Sequence, residues 1–501
     1  MAVRRSEAEN REKIALNLEV KDFGPISDGK ITLKPLTLFI GPNNSGKSYA
    51  AMLIHSIFKS YTRSALDLDV MPFFIGDADK VHRILAKELS AMKIQITALK
   101  NREELEIPET ILERVTNKIF DELYKKNLSD RISRAYACTL NDLIQIGKKS
   151  FELNLNFGSY EIPLVYQYSK KKLKIMDYPK LDVRIKIKVS KRVRDITMRE
   201  RKENEYLVQI SSDLIEKEKQ FAFFLLTDRI LGFYLSKLLE TIATPSYYLP
   251  AARSGILQGH RALAASIVER ASYVGIERLE IPRFSGVVSD FISSILYLPE
   301  DKRSFYTLAQ EFEKGLIKGE IVVRTLDEYT YPEIQYDFQG AEIPLHRASS
   351  TVSELAPLFL YLKYIVKPGN VLIIEEPEAH LHPGNQRILA RFLVKLIRNS
   401  VYIIITTHSE YLLEQLSSFI MLSKIEPKKR VEKYGYDEED FLKTDEIAAY
   451  LFNYDRKSGG NKIAEVKVTE EDGISQDEFS KIIETLYEET IRLRRDLSGD
   501  T

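Results

Sequence analysis

Ile14 to Val20 and Ile31 to Ile40 carry the apolar and β-branched positions of two strands, with the turn-rich Asp22-Phe23-Gly24-Pro25 and Asp28-Gly29 between them. The second strand runs straight into Gly41. From Lys47 to about Tyr61, the residues Ala50, Leu53, Ile54, Ile57 and Phe58 fall at helical spacing. Far along the chain, Val371 to Ile374 and Val401 to Ile405 are short apolar runs, the pattern of strands covered on both faces in a parallel sheet. Gln386 to Ile397 between them is amphipathic, so this stretch predicts a strand–helix–strand unit.

The intervening sequence changes character. From about Asp79 to Ile146 it is charge-rich with helical spacing (Ile84, Leu85, Leu89; Ile111, Leu112, Val115, Ile119). Phe151 to Val189 switches to a period of two, and Phe221 to Ile242 predicts a very apolar helix. The expected organisation is an α/β protein in four parts. A first part of a head domain spans 1–78, and a mainly helical insertion with some strands spans 79–245. A second part of the head spans 246–425, followed by a C-terminal α/β tail over 426–501. Ser475 and Glu478 form a capping-box pair that predicts a helix closing the tail.

With 44% hydrophobic residues, the 501-residue chain has enough apolar surface for a core, which excludes global disorder. Lys and Arg number 73 against 73 Asp and Glu, so a uniformly basic nucleic-acid coat is excluded and any such surface is local. One cysteine, Cys138, excludes a disulfide framework and a cysteine-based metal site. No uncharged apolar run reaches membrane-spanning length, and the charged N-terminus lacks the apolar core of a signal peptide. A cytoplasmic protein with no membrane partner is expected.

Gly41-Pro42-Asn43-Asn44-Ser45-Gly46-Lys47-Ser48 fits G-x-x-x-x-G-K-[ST], with a strand expected before it and a helix after it. Such a loop curls so that successive N–H groups point at phosphate oxygens, and the helix N-terminus adds positive charge at the same place. Lys47 is expected to neutralise the β- and γ-phosphates of ATP, and Ser48 to ligate Mg²⁺. Glu375 and Glu376 emerge at the C-terminal end of a buried strand, where open α/β sheets bind ligands. Glu375 is expected to hold Mg²⁺, directly or through water, and Glu376 to accept a proton from the attacking water. His408, in Thr406-Thr407-His408-Ser409, is expected to hydrogen-bond the γ-phosphate or that water. Taken singly, a chance glycine turn, an acidic helix cap and a structural histidine are the plain alternatives; their combination in one chain weighs against them.

Together these residues resemble an ABC-type ATPase head. More narrowly they resemble the ATPase of the OLD (overcoming lysogenization defect) family and the related AAA-15/AAA-21 type ATPases. The specific element is Glu375-Glu376-Pro377-Glu378-Ala379-His380-Leu381-His382-Pro383, where transporter ATPases usually carry Asp-Glu-Pro. The resemblance covers about residues 14–75 and 245–420, and implies a P-loop NTPase fold with an ABC-like head and a mixed sheet. It also implies a signature segment acting across a dimer. The candidate is Ala348 to Leu355, with Ser349 or Ser350 as the signature serine and Thr351 where a glycine is usual. Thr351 and Glu354 read as a capping box for the helix that follows. The glutamine of the loop after the first helix is Gln95 or Gln145. Arg253, in Tyr248 to Gly255, faces the nucleotide, a neighbouring subunit, or an acid of its own chain.

The function implied is a Mg²⁺-dependent ATPase that works as a homodimer or higher oligomer. In OLD proteins a TOPRIM-type nuclease follows the ATPase. The roughly 80 residues after this head contain no apolar strand ending in an Asp-x-Asp pair, so the expected effector is a separate chain, a nuclease in antiphage defence. A RecF- or SMC-like DNA-repair ATPase is the alternative, although the insertion lacks the sustained heptads of SMC arms. A nucleotide-dependent scaffold with little turnover is a third. Residues 170–202 hold 14 Lys and Arg against 4 Asp and Glu. On a strand, Lys180, Arg184, Lys186 and Lys188 would form one row, either tracking DNA phosphates or guarding a sheet edge.

Overall fold

The structure, a computed structural model, describes residues 16–61, 87–88, 96, 103–157, 164–178, 180, 182–239, 244–259, 284–299, 301–324, 333–475 and 488–494. Ile14, Ile84, Leu85, Leu89, Gln95, Glu478 and the last turn of the apolar helix, residues 240–242, lie outside the described residues.

Strands β1 (Leu16–Phe23) and β2 (Ile26–Thr32) form an antiparallel hairpin around Gly24 and Pro25. Strand β3 (Leu36–Ile40) is buried at every position. The single strand expected from Ile31 to Ile40 is thus two, divided around Pro35, which has no N–H to offer a ladder. Asp28-Gly29 is not a turn but part of β2. A Cβ on Gly29 would stand 2.5 Å from the Ile463 side chain, so the glycine serves a close approach rather than a bend. Helix α1 (Lys47–Tyr61) follows the Gly41–Ser48 loop and buries Ala50, Leu53, Ile54, Ile57 and Phe58, the face read from the sequence.

Next come β4 (Glu104–Glu106) and two helices, α2 (Glu109–Ile119) and α3 (Lys125–Tyr136), joined by a single wider turn. Strands β5 (Ser150–Phe157), β6 (Leu164–Ser169) and β7 (Lys172–Asp177) extend the β1 edge as an antiparallel meander. Strands β8 (Arg184–Ser190), β9 (Thr197–Lys202) and β10 (Glu205–Ser211) form a separate sheet with β4, in the order β4-β8-β10-β9. Helix α4 (Lys219–Leu239) buries Ala222, Leu226, Ile230 and Tyr234, a stripe at i+4 spacing that packs into the core.

The chain then supplies β11 (Ser246–Leu249), α5 (Gly286–Leu296) and α6 (Tyr306–Leu316). A small antiparallel sheet of β12 (Glu320–Arg324), β13 (Glu333–Phe338) and β14 (Ala341–Pro344) precedes α7 (Ser350–Tyr364). The predicted strand–helix–strand unit is β15 (Val371–Glu375), α8 (Pro383–Arg398) and β16 (Tyr402–Thr407), with the two strands parallel neighbours. Helix α9 (Glu410–Leu422) and the hairpin of β17 (Ile447–Asp455) and β18 (Gly460–Val466) follow.

Among the described residues, eleven strands form the main sheet, in the order β11-β15-β16-β3-β17-β18-β2-β1-β5-β6-β7. From β11 to β17 neighbouring strands are parallel, whereas from β2 through β1 to β7 they are antiparallel. The sheet separates two cores. Leu36, Leu38, Leu372, Ile374, Ile403 and Ile405 face one, whereas Phe39, Val371, Ile373 and Ile404 face the other. Successive side chains of a strand point to opposite faces, and both faces are covered here, which accounts for the unbroken apolar runs. Strands β17 and β18 come from the segment set apart as a tail, yet β17 lies directly against β3.

Candidate functional site

The sequence-predicted residues meet because of strand register. Ile405 of β16 is level with Leu38 of β3 and with Ile374 of β15, and Thr406 is level with Phe39 and Glu375. Thr407 is level with Ile40, the last residue before the Gly41–Ser48 loop. Three adjacent parallel strands therefore end at one height, each delivering its chemistry to the same edge of the sheet. A cavity of about 700 Å³ opens there, lined by Asn43 to Ser48, Glu376, Thr406 and His408, and by Gly24, Pro25, Tyr49, Asp142, Ile144 and Ile146.

Backbone geometry forms the loop. Gly41 has φ +141°, and a Cβ there would stand 2.4 Å from the carbonyl oxygen of Phe452 on β17. Asn44 adopts a left-handed conformation with φ 61°. Gly46 also has positive φ, and its carbonyl accepts the first helical bond from the Ala50 N–H at 3.0 Å. Lys47 is 6% exposed, and its Nζ donates to the carbonyls of Gly41 and Pro42, both at 2.8 Å. Burial pulls its ammonium down to about 8, while Glu376, Glu375 and Glu378 act to hold it up. The cation is present below that pH and lost above it. Titration calorimetry with tripolyphosphate is therefore expected to give weaker binding at pH 9 than at pH 7. Equal affinity at both would remove Lys47 from phosphate binding.

Glu376 follows β15 with φ 43°, a strained conformation for a residue with a side chain. It is held by its N–H donating to the Thr406 carbonyl at 2.9 Å and to Thr406 Oγ1 at 3.3 Å. His408 Nε2 stands 3.7 Å from Glu376 Oε1. Burial and the nearby Lys47 lower the imidazole's pKa, with Glu376 opposing them, which favours the neutral ring. Glu378 Oε1 accepts from Thr407 Oγ1 at 2.6 Å and from the His408 N–H at 3.1 Å, so it fixes the turn that presents the imidazole. Burial raises the Glu378 carboxyl. Its role escaped the residue-by-residue reading, although it stands in the quoted Glu375–Pro383 run.

Glu375 stands behind the cavity wall. Its Oε2 accepts from the Ala251 N–H at 3.1 Å. Among the described residues, its Oε1, Glu378 Oε2 and Ser45 Oγ are buried with no hydrogen-bond partner at normal distance, the Tyr248 hydroxyl being the neighbour that faces the Glu375 carboxylate. Buried polar atoms are nearly always satisfied, so unmatched carboxylate oxygens and a hydroxyl close to the loop cation suit a metal cation or its bound water.

Arg253 turns inward at 1% exposure. It pairs with Glu354 at 3.1 Å and donates to the carbonyls of Glu375 at 2.7 Å and Glu376 at 3.3 Å. Of its three expected placements, the acid of its own chain is the one found. That pairing also engages Glu354, so the helix cap is not the Thr351/Glu354 box. The N-cap of α7 is Ser349, whose hydroxyl accepts from the Val352 N–H at 3.4 Å, and the Thr351 hydroxyl donates to the His380 carbonyl at 3.1 Å. Ser349 and Ser350 are exposed and are not among the residues lining the cavity. Gln145 is 4% exposed, with both amide atoms buried and unpartnered, between two residues of the cavity wall.

The AAA_15 family model, an AAA ATPase domain, matches residues 16–413. No curated protein matches the sequence. Among solved structures the chain is similar to the Smc head bound to the C-winged helix domain of ScpA, at 11% identity and TM-score 0.39, covering 91% of this chain and 98% of that one. It is also similar to the Smc head domain with an extended coiled coil bound to the C-terminal domain of ScpA from Pyrococcus furiosus, at 12% identity and TM-score 0.38, covering 95% and 100%. A third is the SMC head domain from Thermotoga maritima, at 12% identity and TM-score 0.33, covering 91% and 99%. The expected class, an α/β P-loop ATPase with a large mixed sheet, is the class found. The family match takes in well over half of the chain, which belongs to the AAA_15 family of ATPase domains.

Proposed function

We propose that the protein binds ATP with Mg²⁺ in this cavity and hydrolyses it. The observation that carries the reading is the shared height of the ends of β3, β16 and β15, which sets the phosphate-loop lysine, the imidazole of His408 and the carboxylate of Glu376 around one opening, with the buried Glu375 next to it in the chain. Residues 41–48 would wrap the phosphates, with Lys47 released from its two loop carbonyls to meet the β- and γ-oxygens. Ser48 and Glu375 would hold Mg²⁺, which neutralises charge on those oxygens. Glu376 would take a proton from water as the water oxygen attacks the γ-phosphorus and the bond to the bridging oxygen breaks. A neutral His408 would donate to the γ-phosphate or orient that water.

In the same reading Ser349 and Ser350 act on the nucleotide of a second copy. Their exposure at the N-terminus of a 15-residue helix supports this, because the helix end carries partial positive charge. The dimer, or a higher oligomer, controls a separate effector, a nuclease in antiphage defence, by the resemblance to OLD-type ATPases. A RecF- or SMC-like repair role instead makes DNA the regulator, and the identity of a co-purifying chain separates the two. No helix among the described residues is long and apolar enough to cross a membrane.

Contact with DNA through 170–202 narrows to one hairpin. Lys186 pairs with Glu205 and Lys188 with Glu104, each at 3.1 Å, and Arg201 pairs with Glu104 at 2.8 Å, so those charges are matched within the small sheet. Lys170, Lys171, Lys172 and Lys174, at the β6–β7 turn and on the edge strand, are exposed. The test is phosphate release from ATP and Mg²⁺, with and without duplex DNA, as salt is raised. Release stimulated by DNA at low salt is expected. No release at all would favour the nucleotide-dependent scaffold, and release indifferent to DNA would remove the hairpin contact.

A further inference from the structure

We propose that Tyr248 is a positioning residue for Glu375, its phenol donating to the Glu375 carboxylate and holding it in the orientation that meets the divalent cation. This rests on the reading of Glu375 as a metal ligand and deepens it. A glutamate has one more rotatable bond than the aspartate usual in transporter ATPases, so fixing its carboxylate takes more restraint.

Strand register brings the two residues together. Strand β11 is the parallel neighbour of β15, with Tyr248 level with Ile373. Tyr248, Ile373 and Val371 face one core, whereas Leu249, Leu372 and Ile374 face the other. Glu375, two residues beyond Ile373, therefore leaves its strand on the face that Tyr248 occupies. It lies one strand across and two residues along, a diagonal within reach of an aromatic side chain. The Tyr248 ring is fixed there. It is buried and tilted against the His55 ring of α1, with centroids 5.5 Å apart. His55 Nδ1 is in turn hydrogen-bonded to Ser246 Oγ at 3.0 Å, at the start of β11.

Both facing atoms are otherwise unmatched. The Tyr248 hydroxyl and Glu375 Oε1 are buried without a hydrogen-bond partner at normal distance. A bond that forms as Glu375 turns to the cation leaves neither atom unsatisfied. Burial and the nearby Glu375 push the phenol well above its ordinary range, so it stays a donor. A ring needed only to fill space would be better as phenylalanine, which brings no hydroxyl into a core. A carboxylate offers about four lone-pair sites. The Ala251 N–H takes one on Oε2 at 3.1 Å and the phenol would take one on Oε1. One on each oxygen is left for the cation or its water. Arg253 holds the Glu375 carbonyl at 2.7 Å, so the stretch from Tyr248 to Arg253 restrains both ends of this acid.

The test is titration calorimetry on the full chain with a non-hydrolysable ATP analogue, with and without Mn²⁺, reading the gain in affinity that the metal confers. Tyr248→Phe removes one oxygen and keeps the ring, so its thermal melt is expected to be little changed. The gain is expected to fall about tenfold, while metal-free affinity holds. The Mg²⁺ concentration giving half-maximal phosphate release should rise, with the rate at saturating Mg²⁺ nearly unchanged. A packing role alone would move neither. Glu375→Asp draws the carboxylate back from the phenol, so adding Tyr248→Phe to it is expected to cost little more. An unchanged gain in Tyr248→Phe would overturn the proposal, as would costs that simply add in the double variant. A gain that Glu375→Gln leaves intact would instead remove Glu375 from the metal site, so the failure of that reading is told apart.

Discussion

Lys47→Ala is expected to lose ATP binding while keeping its fold. Lys47 is the buried cation of the loop, and its hydrogen-bond partners are two carbonyls of that loop. Removing one partner of a desolvated charge pair costs about 2–5 kcal/mol, which is roughly thirtyfold to several thousandfold in Kd. Stability has less to lose. The ammonium is already disfavoured by burial, and the variant leaves no acid stripped of a hydrogen-bonded partner at that point. Calorimetry with ATP and Mg²⁺, beside a thermal melt, separates the two effects. Affinity within twofold of the unmodified protein would contradict the assignment of this loop to phosphate.

Glu376→Gln is expected to retain ATP and stop turnover. The substitution keeps side-chain length and the left-handed backbone, and removes only the capacity to take a proton. Losing a general base costs about 10²- to 10⁴-fold in rate, so single-turnover phosphate release is expected to slow by that factor. The trapped nucleotide should accumulate the dimer in sedimentation experiments. A variant that stays monomeric with ATP bound would contradict the shared site between two copies. Unchanged phosphate release would exclude Glu376 as the base, leaving His408, 3.7 Å away, as the group to substitute next.

The parts of the site legible in the sequence are those whose chemistry is carried by neighbouring residues. The Gly41–Ser48 loop, the acid pair after an apolar strand, and His408 after the next strand each announce themselves locally. Strand register then brings them together. Interactions between distant segments were not legible. Gly29 reads locally as a turn residue, yet its hydrogen atom is needed beneath Ile463, more than 400 positions away. Ser349 caps α7 in place of Thr351 because Glu354, the other half of the expected box, is drawn to Arg253. Likewise Ile447–Asp455 belongs to a segment of mixed charge, and its place beside β3 depends on partners its own sequence does not reveal. The cavity wall at Asp142, Ile144 and Ile146 lacks any motif, since its place opposite the loop depends on backbone bonds to the β1–β2 turn far away in sequence.

The seat of β3 between β16 and β17 bears on how the protein is made. At about 5–20 residues per second, Leu36–Ile40 leaves the ribosome on the order of half a minute before either flanking strand exists. For that interval a segment that is apolar except for Thr37, with two open edges, must be shielded, by provisional pairing or by a chaperone. The Gly41–Ser48 loop likewise gains its carbonyl neighbour at Phe452 only after β17 has been synthesised.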